Sequence, residues 1–342
     1  MLLEKLSNAR GVSGNEAEVR EILIDTVKSR VDAYRVDSIG NLITFKKARG
    51  ARRAALKVML AAHMDEVGLL IVHHDSNGHL RFRKVGGIDD RVLLSKVVLI
   101  GKDKIPGVIG VKPIHLLKEK ERDEIIDFES MTIDIGAKNK EEAQSAVNIG
   151  DYATFATEFA TLDSGLAKGK ALDDRAGCTV LAEILKRDYP FDLYGVFTVQ
   201  EEVGLRGARV AAFAVEPDVA FALEGTVCDD SPKKKDVSPT TRLGEGPAIT
   251  IADRSFIADK RLVDLLIETA RENRIPYQIK QPMVGGTDAG RIHITKEGIP
   301  SVAVAVPTRY IHTPVSLFDL KDFENTVALM TKALPRLRAF SI

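Results

Sequence analysis

The run LKVMLAAH at residues 56–63 decides the fold class of this chain, and Met64 and Asp65 follow it directly. The run is almost entirely apolar, and such runs form central strands that are buried on both faces of a sheet. Other apolar runs of strand length alternate with segments of helical periodicity. These runs are GVFTVQ (195–200), DVAFALE (218–224) and SVAVAV (301–306). The alternation of strands and helices predicts an α/β domain.

Local signals predict several other elements of this domain. Residues 15–30 carry apolar side chains at helical spacing, which predicts an amphipathic helix. The runs AYRVDS and NLITFKK predict a hairpin whose turn lies at Ile39 and Gly40. Further helices are predicted at residues 173–187, 205–213, 258–273 and 320–337.

The middle of the chain has a different character. Short β-like runs follow one another there, separated by turn signals such as Ser-Asn-Gly and Gly-Gly. This pattern predicts a small β-barrel or sandwich that is inserted into the α/β domain. The expected division is a catalytic domain at residues 1–69 plus 163–342 and an inserted β-rich domain at residues 70–162.

Composition argues against two classes of protein. Lysine plus arginine equals aspartate plus glutamate at 49 each, so the formal net charge is zero. A chain without net positive charge is a poor general binder of nucleic acid, and no apolar run approaches the ~20 residues of a membrane span. Cys178 and Cys228 form no CxxC motif, which indicates a reducing compartment. Because the first residues also lack the pattern of a signal peptide, we expect a cytoplasmic protein.

Side chains that can bind metals follow the ends of the predicted strands. Ligands bind outside the carboxyl ends of strands in open α/β sheets, so we expect these side chains to converge on one edge. Taken singly, each one also fits a solvated strand end or an ordinary helix N-terminus. They are His63 and Asp65 after LKVMLAA, Glu201 and Glu202 after GVFTVQ, Glu224 at the end of DVAFALE, and Asp173 at a helix start.

A further imidazole, His312, lies in the run PTRYIHTP, where two prolines would hold it in a fixed direction. Taken alone, His312 also fits an ordinary loop histidine. Two imidazoles and three carboxylates together suit zinc or cobalt. Five ligands are too many for one tetrahedral site with an open position, so they predict two ions that share a carboxylate. Glu201 beside Glu202 then remains as the general base, and Asp65 can orient His63.

Nine runs of the sequence carry a resemblance to a known family, and they follow one another in order from about residue 9 to residue 314. They are ARGVSGNE, DSIGNLI, AAHMDEVG, GVIGVKPIHLL, KALDDRAGC, VQEEVGLRGA, FALEGT, GGTDAG and RYIHTP. In these runs the chain resembles the glutamyl aminopeptidase and tetrahedral (TET) aminopeptidase family of dinuclear-metal peptidases, clan MH. The resemblance implies a mixed-sheet, zinc-exopeptidase-like catalytic domain with an inserted, small β-barrel-like lid or dimerisation domain.

The resemblance also implies an activity and an assembly. The activity is the removal of N-terminal residues from short peptides, and the assembly is a homo-oligomer, in this family often a dodecamer built from dimers. Asp173 would bridge two divalent ions, and Glu201 would be the base. The implied ligand pairs are His63 with Glu224 and Glu202 with His312. Position 224 is often Asp in the family, and in related peptidases this choice follows the kind of exopeptidase activity.

Three other functions remain to be weighed. A related amide hydrolase, such as an N-acyl amino acid deacylase or a carboxypeptidase-type enzyme, could use the same site. A glycosidase using Glu201 and Glu202 is rejected. Its two carboxyls should flank the scissile bond from opposite sides, ~5–9.5 Å apart, and adjacent acids at one strand end are poorly placed for that. A non-catalytic, metal-stabilised scaffold would lose its fold, and not only its activity, when a chelator is added.

Two further features can each be interpreted as functional or as ordinary surface structure. His115, in the run VKPIHLL, could reach the active site from the inserted domain and stabilise an oxyanion, or it could be a structural loop histidine. The three lysines at residues 233–235 could attract acidic peptides, or they could be a solvated charge run.

Overall fold

An extended mixed sheet forms the centre of the chain, and a small closed barrel stands beside it. The computed structural model describes residues 1–50, 56–231, 240–281 and 283–339. Within these ranges the central sheet has eleven strands, and the barrel has six antiparallel strands. This architecture confirms the predicted α/β domain with a mixed sheet and a β-barrel-like insertion.

The strands and helices are numbered along the chain. The strands are β1 Ala33–Val36, β2 Leu42–Lys46, β3 Lys57–His63, β4 Gly68–His74, β5 Leu80–Val85, β6 Val97–Ile100, β7 Ile105–Ile109, β8 Ile133–Asp134, β9 Tyr152–Phe155, β10 Ala160–Thr161, β11 Leu166–Gly169, β12 Asp192–Thr198, β13 Val219–Cys228, β14 Ala248–Thr250, β15 Gln278–Lys280, β16 Ser301–Arg309 and β17 Ser316–Asp319. The α-helices are α1 Leu2–Asn8, α2 Ala17–Val27, α3 Lys140–Ala146, α4 Leu172–Ile184, α5 Arg206–Val215, α6 Lys260–Glu272, α7 Ala289–Ile292 and α8 Leu320–Ala333. Short 3-10 helices lie at Asp90–Val92, Ile114–Leu116, Glu119–Arg122, Phe128–Ser130 and Leu334–Ala339.

The main path of the central sheet has the order β1-β2-β12-β3-β13-β16-β17-β11-β10, and β14 joins β16 and β15 beside this path. Four adjacent strands, β12, β3, β13 and β16, are parallel to one another, while β2 and β17 flank them in the antiparallel direction. The carboxyl ends of the parallel strands therefore meet at one edge, as the sequence predicts.

The apolar run at residues 56–63 forms the buried centre of this sheet. Strand β3 lies between β12 and β13, and every residue of it after Lys57 is buried. Side chains from β3 pack on both faces, with Leu60 in the main core cluster and Met59 in a second cluster on the other side. Burial on both faces explains why the run is almost continuously apolar.

The short β-like runs of the middle segment form the barrel. Each of GLLIVHH, LRFRKV, KVVLIG, IPGVIGVK, MTIDIG and YATFAT contributes one strand. The barrel closes in the order β4-β5-β8-β7-β6-β9 and encloses an apolar core of its own, which includes Leu69, Phe82 and Ile133. The charged stretch at residues 116–130 forms short 3-10 helices rather than strands. A side-chain hydrogen bond also links the barrel to the central domain. Arg10 donates it to the backbone carbonyl of Gly101.

One placement in the sequence analysis is wrong. Glu224 does not end its strand, because β13 continues to Cys228 along its partner β16. Strand β3 pairs with β13 only as far as Ala222, so β13 extends past its other neighbour. Glu224 therefore lies within a buried strand beside the end of β3. Among the described residues, no helix has the length and apolar character needed to span a membrane.

Candidate metal centre

Five elements, β3, β12, β13, β16 and α4, bring the predicted metal-binding side chains together at one edge of the sheet. His63 is the last residue of β3, and its register partner Thr198 is the last residue of β12, shortly before Glu201 and Glu202. Asp173 lies in the first turn of α4, where its backbone and that of Asp174 are not helical. His312 follows β16 in a turn and has a positive φ of 58°.

His63 lies at the centre of the first group of donors. Its Nε2 is 3.3 Å from Asp173 Oδ1, 3.6 Å from Glu224 Oε2 and 4.0 Å from Glu201 Oε2. All of these side chains are buried or nearly so, with exposed fractions of 2% for His63 and 12% for Glu201. One imidazole thus faces three carboxylates from three separate elements.

His312 lies at the centre of the second group. Its Nε2 is 3.2 Å from Glu202 Oε2 and 3.7 Å from Asp173 Oδ2. Asp173 therefore lies between the two imidazoles, with Oδ1 nearest His63 and Oδ2 nearest His312. A carboxylate in this position can bridge two cations.

The residues fit divalent ions by the chemistry of their donors. His63, Asp173 and Glu202 present ligand atoms that all lie within 4.8 Å of one another. Asp173 Oδ1 is buried and has no hydrogen-bond partner, which is costly for a carboxylate unless a cation satisfies it. His63, Asp174 and Glu224 form a second group whose ligand atoms lie within 4.8 Å of one another. The two oxygens of Asp174, however, accept hydrogen bonds from the backbone N–H groups of His63 (3.1 Å) and Gly177 (2.8 Å), so Asp174 serves to fix the strand end.

Asp65 connects the end of β3 to the loop that carries the two glutamates. Its Oδ1 accepts a hydrogen bond from the backbone N–H of Glu201 (3.0 Å), and its Oδ2 accepts one from that of Glu202 (3.1 Å). The hydroxyl of Ser13 also donates to Oδ2 at 2.5 Å. Asp65 Oδ1 is 3.5 Å from Nδ1 of His63, the ring nitrogen on the side away from the other acids. These contacts allow Asp65 to orient both the imidazole and the glutamate loop.

The crowding of acids changes the protonation of the site. Burial raises the pKa of Glu202 to about 7, although the positive charge of His312 acts in the opposite direction. Burial likewise raises the pKa of Glu201 and of Glu224 well above their usual range. Burial alone would lower the pKa of His63, but the negative charge of Glu201 and the nearby carboxylate of Asp173 raise it well above its usual value. Such a set of acids favours a cation in its midst.

The sequence analysis assigns no role to Asp288, although the residue lies in the quoted run GGTDAG. Its backbone N–H donates to Glu224 Oε1 at 3.1 Å, and its Oδ2 accepts from the hydroxyl of Thr198 at 2.5 Å. Asp288 thus holds the carboxylate of Glu224 in place from the start of α7. Burial raises the pKa of Asp288 to about 6. The two glycines before Thr287 are the one signal in the sequence that marks this segment as unusual.

A buried ion cluster next to the site is also missing from the sequence analysis. Glu66 accepts hydrogen bonds from Lys170 Nζ at 2.8 and 2.9 Å and from the Arg175 guanidinium at 3.1 Å. The backbone N–H of Gly11 donates to the same carboxylate at 3.0 Å. The three charged side chains come from positions up to 109 residues apart, so no local pattern could indicate their pairing.

Among the described residues, no hydrogen bond or ion pair joins His115 to this centre. His115 is exposed in the 3-10 helix Ile114–Leu116. The lysines at residues 233–235 lie outside the described residues.

The fold and the donor set define a class of protein. A mixed α/β sheet with imidazoles and carboxylates at its strand ends, beside a closed antiparallel barrel, is the architecture of a metal-dependent hydrolase. The model of the M42 glutamyl aminopeptidase family matches residues 40–329. The chain belongs to this family, and it is a metal-dependent aminopeptidase.

Individual relatives agree with this assignment over nearly their whole length. The lysyl aminopeptidase of Pyrococcus furiosus is 34% identical over 98% of this chain and 97% of its own. The structure of a TET aminopeptidase from a marine sediment Thaumarchaeota archaeon matches with a TM-score of 0.93 and 39% identity, covering 98% of this chain and 95% of that one. The TET1 peptidase of Pyrococcus horikoshii, described as assembling into a tetrahedron or a large octahedral shell, matches with a TM-score of 0.85 and 37% identity over 98% and 99% of the chains.

Proposed function

We propose that the chain removes N-terminal residues from short peptides and uses two divalent ions, zinc or cobalt, for this reaction. The observation that carries the proposal is the position of Asp173, whose two oxygens face two different imidazoles at 3.3 and 3.7 Å. The mixture of nitrogen and oxygen donors suits zinc or cobalt better than magnesium or calcium, which prefer oxygen ligands alone.

Each residue has a distinct part in this proposal. His63 and Glu224 would hold one ion, Glu202 and His312 would hold the other, and Asp173 would contribute one carboxylate oxygen to each. When bound, the ions supply polarisation of the scissile carbonyl and acidify a water molecule towards a pKa of ~7. The carboxylate of Glu201 takes the proton of the attacking water and delivers it to the leaving amine. Asp65 keeps the imidazole of His63 in its ligating orientation.

Metal analysis together with a substrate panel tests this proposal. We expect about two ions per chain in active protein, loss of aminoacyl-anilide hydrolysis with chelator, and its recovery with zinc or cobalt. N-acylated substrates serve as the control, because a free α-amine should be required. Full turnover with a single bound ion would contradict the two-metal site, and preference for N-acyl substrates would contradict aminopeptidase specificity.

The domain division and the assembly belong to the same proposal. The proposed catalytic domain is residues 1–69 plus 163–342, and the proposed inserted lid or dimerisation domain is residues 70–162. The barrel strand β4 begins two residues before this range, at Gly68, and the sheet strand β10 at Ala160–Thr161 falls inside it. A homo-oligomer, a dodecamer built from dimers, would limit access to short or unfolded peptides. Both cysteines are buried free thiols, which supports a reducing, cytoplasmic location.

His115 is proposed as an oxyanion donor that acts from the inserted domain. It carries a side chain with no competing partner among the described residues, in a short helix that begins after Pro113. We expect His115→Ala to lower kcat while metal content stays constant. An unchanged kcat would show that this histidine is structural only.

A further inference from the structure

We propose that Glu16 is a positioning residue for the general base, because its carboxylate fixes the backbone from which the side chain of Glu201 projects. The inference rests on the proposed function, since it assigns a support for the base of that reaction. It follows from the way in which the loop after β12 is held.

Four consecutive backbone N–H groups of this loop donate to side chains from distant parts of the chain. The pairs are Val199 with Asn41 Oδ1 at 3.0 Å, Gln200 with Glu16 Oε1 at 3.2 Å, Glu201 with Asp65 Oδ1 at 3.0 Å and Glu202 with Asp65 Oδ2 at 3.1 Å. An N–H group turns together with its peptide plane. Four fixed N–H groups therefore fix the course of the backbone through Glu201.

Glu16 acts on the residue of this loop that has the least favourable backbone conformation. Gln200, directly before the base, has a φ of 56° in the left-handed region. Residues other than glycine seldom adopt this conformation, and it persists where the surroundings impose it. Without the acceptor on Glu16, we expect Gln200 to relax and to turn Glu201 away from His63, whose Nε2 now lies 4.0 Å from Glu201 Oε2.

The side chain of Glu16 serves the loop and not its own helix. Glu16 is the residue before α2, but its side chain accepts no hydrogen bond from the helix. Its Oε1 accepts instead from the backbone N–H groups of Gly14 at 2.7 Å and Gln200 at 3.2 Å. The residue is only 4% exposed, and carboxylates are seldom buried to this degree. Helix capping therefore does not explain the position of Glu16, whereas support of the loop does.

The segment that carries Glu16 is itself fixed to the extension of β3. Val12 forms a parallel bridge with Glu66, and the backbone N–H of Ser13 donates to the carbonyl of Glu66 at 3.3 Å. The hydroxyl of Ser13 donates to Asp65 Oδ2 at 2.5 Å. Glu16 thus holds the loop from a support that is continuous with Asp65, the other side chain that fixes the base.

The position of this contact separates the base from the metal ligands. Glu16 accepts from Gln200, the residue next to Glu201, whereas the N–H of the ligand Glu202 is held by Asp65 alone among the described residues. Loss of Glu16 should therefore displace the base and leave the ligands in place. A displacement of ~1 Å in a catalytic group can cost about 10²-fold in rate.

The first test compares single variants that are loaded with metal, using an aminoacyl-anilide as substrate. Glu16→Ala should lower kcat by about 10- to 100-fold, with KM and metal content unchanged. Glu16→Gln keeps an oxygen that can accept both N–H groups, so its kcat should stay within about threefold of wild type. Glu21→Ala is the matched control, because Glu21 is an exposed glutamate of the same helix. It should keep the wild-type kcat.

A double variant shows whether Glu16 acts through Glu201. In protein that already carries Glu201→Gln, no base is left to be positioned. The addition of Glu16→Ala should then lower the residual kcat by less than about threefold, because residues that act through one another are not additive. An equal loss in both backgrounds would overturn the proposal, since Glu16 would then act on another group.

Hydrogen exchange in metal-free protein follows the loop without any activity. In wild-type protein the held N–H groups of residues 199–202 should exchange slowly, and Glu16→Ala should speed their exchange at least about tenfold. Residues 97–109 of the barrel should exchange alike in both proteins. Fast exchange of the loop in wild-type protein would overturn the proposal, even if Glu16→Ala failed to fold.

Two kinetic results would also overturn it. One is an unchanged kcat in Glu16→Ala, and the other is a Glu16→Gln variant as slow as Glu16→Ala. Each of these results leaves the aminopeptidase activity standing. A wild-type protein that hydrolyses no free-amine substrate would instead refute the proposed function, and the exchange experiment would still report on the loop.

Discussion

Two adjacent glutamates, Glu201 and Glu202, have different surroundings at the candidate metal centre. Glu202 has an almost fully buried side chain and lies 3.2 Å from the imidazole of His312. Glu201 is more exposed, at 12%, and its nearest imidazole nitrogen is 4.0 Å away. The backbone N–H groups of both residues are held by Asp65, so the loop fixes the two side chains in different directions. A ligand and a base can thus be sequence neighbours.

Exchange of each glutamate for glutamine should separate these two roles. Glu201→Gln keeps the size of the side chain but cannot accept a proton, so kcat should fall by about 10²–10⁴-fold. The metal content should stay at about two ions per chain, and KM should change little. Glu202→Gln should instead weaken metal binding, because an amide is a poorer ligand than a carboxylate. Kinetics together with elemental analysis of each variant measure both effects.

The opposite pattern would reverse the assignment. If Glu201→Gln lost metal while Glu202→Gln kept metal and lost only turnover, Glu202 would be the base. Glu129→Gln is a suitable control, because Glu129 is an exposed glutamate of the barrel domain. It should change neither kcat nor metal content.

At the scale of single residues, the sequence indicated which donors would converge but not how they are held. His63 and Glu202 follow apolar runs, and this local signal was sufficient to predict their position. Asp288 and the pair of Glu66 with Lys170 gave no comparable signal. Glu66 and Lys170 are 104 residues apart, so their contact depends on the tertiary fold alone.

At the scale of elements, an ion pair joins the carboxyl ends of the central strands β13 and β16. Asp230 follows the end of β13, and Arg309 is the last residue of β16. The guanidinium of Arg309 donates to both oxygens of Asp230, with Nη2 at 2.8 Å from Oδ2, and the backbone N–H of Leu243 donates to Oδ2 at 3.1 Å. Burial alone would raise the pKa of Asp230, but the hydrogen bonds from Arg309 and Leu243 lower it to about 2.

This ion pair should make stability depend on pH in a defined window. The pKa of Asp230 is lower in the folded chain than the ~3.9 of an unfolded aspartate. Its contribution to stability is therefore fully present above about pH 4, and it is lost as the pH falls towards about 2. Asp230→Asn should reduce the free energy of unfolding by about 1–3 kcal/mol near neutral pH. The difference from wild type should shrink steadily between pH 4 and pH 2.

Urea unfolding of both proteins over this pH range provides the measurement. Asp264→Asn is the control, because Asp264 belongs to an exposed pair on α6 and exposed pairs contribute little. A difference between Asp230→Asn and wild type that stays constant down to pH 2 would contradict the proposed coupling.

The elements also show which parts of a fold can be predicted from patterns in the sequence. Long apolar or alternating runs such as those of β3 and the barrel strands were found, because several residues share one periodicity. Strands β11 and β17, with the sequences LAKG and SLFD, show neither a continuous apolar run nor a regular alternation. Their position depends on pairing with each other and, for β17, with β16.

At the scale of the whole molecule, the barrel has an apolar core that is separate from the cores of the sheet domain. It also has apolar side chains on its outer surface. Val97 and Val108 are register partners on β6 and β7, and they are 48% and 45% exposed. We take this exposed apolar pair as the starting point for a contact surface between copies of the chain. A barrel that packs its own interior while leaving such a pair outside is suited to joining copies of the chain.

We therefore expect the chain to assemble through this surface. The TET1 peptidase of Pyrococcus horikoshii, which shares 37% identity with this chain, is described as assembling into a tetrahedron. A tetrahedron has six edges, so a dimer on each edge gives twelve chains and a mass of about 449 kDa, twelve times 37.4 kDa. Light scattering should yield this mass at micromolar concentration. The double change Val97→Arg and Val108→Arg should reduce it to smaller species, because charges desolvated in a contact are costly. Ile39→Arg, in the exposed turn between β1 and β2, should leave the mass unchanged. Wild-type protein that scatters as a monomer would refute the assembly, and a double variant that keeps the full mass would show that the contacts lie elsewhere.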